Sequence, residues 1–271
     1  MKAKKVLFIT QEITPYVPES TMSTDGRYIP QKVQESGREI RTFMPRWGNI
    51  NERRNQLHEV IRLSGMNIII DDTDNHLIIK VASIQPARMQ VYFIDNDDYF
   101  HKRLMKTDED GKEYEDNMER AIFYARGVLE TVKKLRWTPE IVNCQGWMSA
   151  IVPLYIKTAF REDPPFAETK VVFNDYNDYP QDGLGERFAE ELAFRGASVD
   201  ILKSMGIDLD DPLALRKIAI AMSDGYVQCE ADMSPELVEF AHSKHIPVLE
   251  YAGEENKVER LNEFYELVMG E

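Results

Sequence analysis

Gln11 and Glu12 follow a short apolar, β-branched run, Val6–Thr10, and open a polar loop that reaches to about Asp25. Gln145 follows a second such run, Ile141–Cys144. A third, Lys170–Phe173, leads into the loop NDYNDYPQDG, Asn174–Gly183. An amide donates and accepts hydrogen bonds but cannot carry a proton between reactants. Tyr176 and Tyr179, interleaved with Asn and Asp, offer stacking faces beside hydrogen-bonding groups, which suits the ring faces and hydroxyls of a glycan. The same pattern also describes an ordinary turn-rich loop with half-buried tyrosines. Other constellations carry less. His242 and His245, at i and i+3 near a helix end, read as a charge–dipole or surface pair rather than metal ligands. Cys144 has no histidine nearby in sequence and reads as a small buried residue. Asp71, Asp72 and Asp74 form an acidic turn without the twelve-residue calcium-loop spacing. Arg53-Arg54 could reach a phosphate, and surface placement fits them equally. No metal site and no cofactor are expected.

These residues need elements to hold them. The stretch Lys4–Ile50 reads as strand, loop, helix and strand: Val6–Thr10, a loop to about Asp25, a helix from about Arg27 to Glu35 closed by Gly37, and a strand over Glu39–Met44. Such a unit is right-handed, and its ligands sit beyond the carboxyl ends of its strands. Three strand-like runs follow, Met66–Ile70, His76–Ile84 and Met89–Ile94, forming an antiparallel extension over residues 59–94. Asp95–Gly111 is a charged, turn-rich span expected at the surface.

Met118, Ile122, Ala125, Leu129 and Val132 share one helical face, with Asp116 before them as candidate N-cap. Pro153 within Trp147–Phe160 marks a kink or the true start of a helix. Leu184, Phe188 and Leu192 suggest another helix, and Asp211-Pro212 opens one that runs to about Met222. Tyr226–Cys229 reads as a strand, Ser234–His242 as a helix, Pro247–Tyr251 as strand-like and Asn256–Met269 as a closing amphipathic helix. Strands alternating with helices predict an α/β fold: a single three-layer, Rossmann-like domain with a mainly parallel sheet.

A chain of 271 residues can bury a large core, and no apolar run approaches the ~20 residues of a membrane span. Two cysteines are too few for a disulfide framework, so a cytoplasmic location is expected. The net charge of −14, with no dense basic stripe, argues against nucleic acid as a partner. The short basic clusters Lys102-Arg103 and Lys133-Lys134-Arg136 read as solvated surface.

The segments VLFITQEITPY, GRYIPQ and ESGREIRTFMPRWGNI resemble the opening of bacterial starch and glycogen synthases, glycosyltransferases of the two-domain GT-B type. DNMERA from Asp116, IVNCQGWMSAIVPLYI from Ile141 and LRKIAIAMSDGYVQCEADMSPELVEFA from Leu215 extend the resemblance over most of the chain. Gln11-Glu12, Pro15 and Ile29-Pro30 hold their places in that pattern. The family's Lys-x-Gly-Gly loop, however, falls on Pro18, Ser20 and Thr21. Its His-x-His-Asp-Trp segment falls on Asn143, Gln145, Gly146 and Trp147, of which only the tryptophan is kept.

The resemblance implies an N-terminal GT-B half, spanning residues 1–271, of an enzyme that moves glucose from ADP-glucose to an α-1,4-glucan. The nucleotide-sugar half is expected to be absent from this chain and supplied by a second chain. Pro18 offers no N–H to a phosphate and Gln145 cannot act as a histidine, so the chain alone is expected to be inactive. The site residues implied are Gln145 and Asp116 for chemistry, and Gln11, Glu12, Arg120 and Trp147, with Tyr176 and Tyr179, for substrate. The alternative is a non-catalytic glucan-binding, regulatory or partner-binding subunit, its exposed cleft face serving as a protein interface.

Overall fold

The computed structural model describes residues 5–270. In chain order its elements are β1 (Lys5–Thr10), α1 (Thr21–Glu35), β2 (Glu39–Pro45), β3 (His58–Glu59), β4 (Asn67–Ile70), β5 (Thr73–His76), β6 (Ile78–Ile84) and β7 (Met89–Asp95). Then come α2 (Asn117–Leu135), β8 (Ile141–Gln145), a 3-10 turn (Trp147–Ser149), α3 (Val152–Lys157), β9 (Lys170–Asp175), α4 (Phe188–Leu192) and α5 (Val199–Ser204). The chain continues through α6 (Ala214–Ala221), β10 (Gly225–Gln228), α7 (Pro235–Ser243), β11 (Val248–Leu249) and α8 (Lys257–Met269).

Nine strands form one sheet in the order β11-β10-β9-β8-β1-β2-β7-β6-β3. Every pairing from β11 across to β7 is parallel, and β6 and β3 add antiparallel at one edge. A parallel sheet needs both faces covered, so its strands read as continuous apolar runs. In β1, Leu7 and Ile9 enter the larger core with α2, α3 and α6, while Val6 and Phe8 enter the smaller one with α1 and α8. Three layers result, as expected. The antiparallel extension is smaller than its predicted span: β7 is parallel to β2, and β4 and β5 form a separate two-stranded ribbon.

Several local expectations are corrected. Helix α1 begins at Thr21, not Arg27, because Ser20 and Ser23 make a reciprocal capping box: Ser23 N–H donates to Ser20 Oγ at 3.0 Å and Ser20 N–H to Ser23 Oγ at 2.7 Å. Asp116 holds the N-cap position of α2, as expected, but its side chain makes no capping bond; the carboxylate pairs with Arg103 instead. The span after Asp95 is not all surface, since Tyr99 and Phe100 are buried against Phe123. Leu184 lies outside a helix, α4 being only Phe188–Leu192. Helix α6 starts at Ala214, with Asp211 accepting from Leu213 N–H at 2.8 Å. Pro153 stands in the first turn of α3, marking its start.

Candidate functional site

The sheet reverses its order at β1. The chain leaves β1 for β2 on one side and later returns as β8 on the other, with Thr10 paired to Gln145 at their carboxyl ends. A crevice opens at such a switch point, and the loops leaving the two strands line it. Those loops are Gln11–Ser20 and the segment from Gly146.

Gln11 is fully buried and ties the two loops together. Its Oε1 accepts from Met148 N–H at 3.3 Å, and its Nε2 donates to Asp178 Oδ2 at 3.3 Å and lies 3.6 Å from Met105 Sδ. Trp47 Nε1 donates to the Gln11 carbonyl at 2.7 Å. Gly146 is needed at this place twice over. Its φ is +80°, and a Cβ there would lie 2.6 Å from Gln11 Oε1. Glu12 is 8% exposed and accepts from Ser20 Oγ at 2.5 Å. Burial raises its pKa, and the Ser20 hydrogen bond opposes that rise. Helix α1 lies against this backbone through Gly26, where a Cβ would come within 2.1 Å of the Glu12 carbonyl oxygen.

On the next strands the side chains are equally dry. Gln145 Nε2 donates weakly to Tyr176 Oη at 3.4 Å, and Tyr176 donates to Asp25 Oδ2 at 2.8 Å. Asp25 is held by Lys257 at 2.9 Å. Asn143 Oδ1 accepts from Asn174 Nδ2 at 2.8 Å and from Tyr265 Oη at 2.7 Å. Yet Asn143 Nδ2, Gln145 Oε1 and Trp147 Nε1 are buried with no hydrogen-bond partner among the described residues. Native structures leave few such groups, and each costs about 1–3 kcal/mol. Beside them, fully buried Asp175 accepts from Tyr179 Oη at 2.7 Å and Tyr226 Oη at 3.0 Å, with Arg216 Nε 3.5 Å away.

The structure thus brings Gln11, Glu12, Gln145 and Trp147 together at the carboxyl ends of β1 and β8, all of them buried. Tyr176 is 1% exposed and offers no ring face to solvent. Tyr179 is half-buried, and Arg216 lies 4.2 Å from its ring centre. Asp116 and Arg120 stand apart. Fully buried Arg120 donates to the carbonyls of Tyr99, Leu104 and Met105 at 2.8–3.0 Å, so it shapes the segment that carries Met105 and Lys106 to the crevice. Lys106, which pairs with Asp178, went unforeseen in the sequence. The two lie 72 residues apart, and only Asp178 sat in a loop already singled out. Among the described residues no group of three or more His, Cys, Asp or Glu could hold a metal, and no helix is long and apolar enough to cross a membrane. Among the described residues the large hydrophobics left exposed are Tyr28, Ile61, Ile69 and Leu267, none of them in the loops that leave β1 and β8.

Residues 5–249 match the family model described as the starch synthase catalytic domain. Glycogen synthase from Chlorobium limicola is 35% identical over 189 residues, covering 69% of this chain and 39% of that protein. Glycogen synthase from Chlorobaculum tepidum is 35% identical over 178 residues, covering 65% and 36%. The chain therefore spans about two fifths of the length of the curated relatives it matches. The catalytic domain of starch synthase IV from Arabidopsis thaliana, bound to ADP and acarbose, shares the fold, with a TM-score of 0.72 at 16% identity over 93% of this chain and 52% of that one.

Proposed function

The chain belongs to the starch synthase catalytic domain family and is glycogen and starch synthase-like, and on that premise we infer that residues 1–271 form one N-terminal half-domain that handles the α-glucan in glucosyl transfer from ADP-glucose. The observation that supports this reading is the uncharged, amide-rich end of the two central strands, where Gln11 and Gln145 lie buried beneath the loops leaving β1 and β8. Sugar hydroxyls both donate and accept, and suit loops that present backbone groups without charge. A diphosphate suits the crevice poorly. Lys106 and Lys257 are already paired with Asp178 and Asp25, Glu12 adds a carboxylate, and Pro18 has no N–H to give. Helix α1 likewise spends its first-turn Ser23 N–H on the Ser20 hydroxyl.

Stabilising a leaving diphosphate then falls to a second half, in the same polypeptide or in another. On this reading buried Gln145 and Gln11 hold the loops that meet the sugar, Glu12 and Trp147 support them, Tyr179 lines the rim, and Arg120 positions the Met105–Lys106 segment. Asp116 and Tyr176 act through their neighbours, Arg103 and Asp25. The alternative, a glucan-binding subunit without turnover, shares the same sugar contacts.

Two measurements on purified residues 1–271 test this. Affinity electrophoresis through glycogen should retard the protein, and ADP release from ADP-glucose with glycogen should stay at the blank. Failure to bind glycogen overturns the glucan assignment. ADP release that Gln145→Ala abolishes overturns the division of labour between the halves.

A further inference from the structure

On the helical face away from the crevice, α2, the β4–β5 ribbon and the turn after α4 enclose a groove of about 590 Å³. Arg126 of α2 forms part of its wall and is 5% exposed. One of its terminal nitrogens donates to the Ile69 carbonyl, while its Nε has no partner. The guanidinium lies 3.7 Å from the centre of the Phe194 ring, and Arg195 stands 5.1 Å from the same centre. Arg195 reaches there from a two-residue turn in which Phe194 and Ala197 exchange backbone hydrogen bonds, with φ of +43° at Arg195.

Neither arginine has a carboxylate within ion-pair distance among the described residues. The two acids of the groove are already engaged: Asp71 pairs with Arg187, and Glu130 lies 3.6 Å from Lys133. Both guanidiniums thus lie against one aromatic ring, neither of them ion-paired among the described residues, and one of them is almost wholly withdrawn from water. An uncompensated buried cation is costly, and planar guanidinium forks match carboxylate and phosphate oxygens. Ile69, 55% exposed, supplies an apolar wall beside them.

We propose that this groove binds a small oxyanion carried on an apolar or aromatic body, its phosphate or carboxylate held between Arg126 and Arg195. None of the groove's residues belongs to the crevice loops, so the site is separate from the glucan site and does not rest on that assignment.

The test is calorimetric titration of residues 1–271 with phenyl phosphate and with benzoate in chloride-free buffer. One saturable site per chain is expected, weakened at least tenfold by Arg195→Ala and lost in Arg126→Met. Arg195 is exposed, so its variant keeps the fold even where Arg126→Met does not. Binding of phenyl phosphate alone assigns a phosphate, and binding of benzoate as well assigns oxyanions in general. No saturable binding of either, or binding that Arg195→Ala leaves unchanged, overturns the site.

Discussion

Gln11 Oε1 accepts a hydrogen bond from Met148 N–H at 3.3 Å, and this bond clasps the loop after β1 to the turn after β8. The two segments are 137 residues apart in the chain and meet because Thr10 and Gln145 are paired at the ends of adjacent parallel strands. The clasp depends on the absence of a side chain at Gly146.

Gly146→Ala should therefore destabilise the fold by about 2 kcal/mol or more. A left-handed backbone costs an alanine ~1 kcal/mol, and the new Cβ meets both Gln11 Oε1 and, at 2.8 Å, Met22 Sδ. Urea unfolding measures it, and a loss under about 0.5 kcal/mol would show that the two loops can part at little cost.

Gln145→Met is expected to separate stability from function. The substitution removes an orphaned buried acceptor at nearly constant volume, so unfolding free energy should hold or rise by up to about 1 kcal/mol. Glycogen retardation should weaken, because Gln145 gives up its bond to Tyr176 beneath the loop that meets the sugar. Unchanged retardation would mean that Gln145 has no part in presenting that loop.

Arg120→Met leaves three backbone carbonyls, those of Tyr99, Leu104 and Met105, without their donor in the interior. A loss of about 3–5 kcal/mol follows, with amide exchange rising first over residues 99–106. If exchange rises uniformly instead, Arg120 supports the whole core rather than that segment.

Asp175 gives a pH signature. Burial, outweighing Arg216 and the two tyrosine hydrogen bonds, lifts its pKa from the ordinary 3.8 to about 6. The folded chain then holds a proton between pH 4 and 6 that the unfolded chain has released, so this group's contribution to stability falls as pH rises through that window. A shift of that size corresponds to about 3 kcal/mol. The stability gap between the native chain and Asp175→Asn should narrow by about that amount from pH 4 to pH 7. A gap that stays constant or widens would mean that Arg216 holds the carboxylate ionised.

Much of this architecture is legible in the chain. The four-three-four-three spacing from Met118 to Val132 places α2 correctly, and the apolar runs at Val6, Ile141 and Lys170 mark three adjacent parallel strands. Two of the misreadings share a cause: a short polar side chain has several competing partners. Asp116 looks like a cap but finds Arg103, while Ser20, passed over in a loop, caps α1 six residues before the expected start. Leu184 fits a helical spacing, yet Gly183 and Gly185 beside it take φ of +73° and +86°. Of the site, the strand-end residues Gln11, Glu12 and Gln145 follow from topology, whereas Lys106 does not. Its approach depends on how Arg120 folds a distant loop. Tyr176 fits a stacking pattern but is turned inward by its bond to Asp25.

The bond between Lys257 and Asp25 spans 232 residues and joins the last helix to the first. Among the described residues, buried Asp25 otherwise has the Tyr176 hydroxyl alone, so its charge is balanced once α8 has docked. A molecule clipped ahead of Lys257 would keep most of its sheet and still hold an unmatched carboxylate under α1. Cleavage within the exposed Glu254–Asn256 segment would therefore loosen the first helix from the far end of the chain.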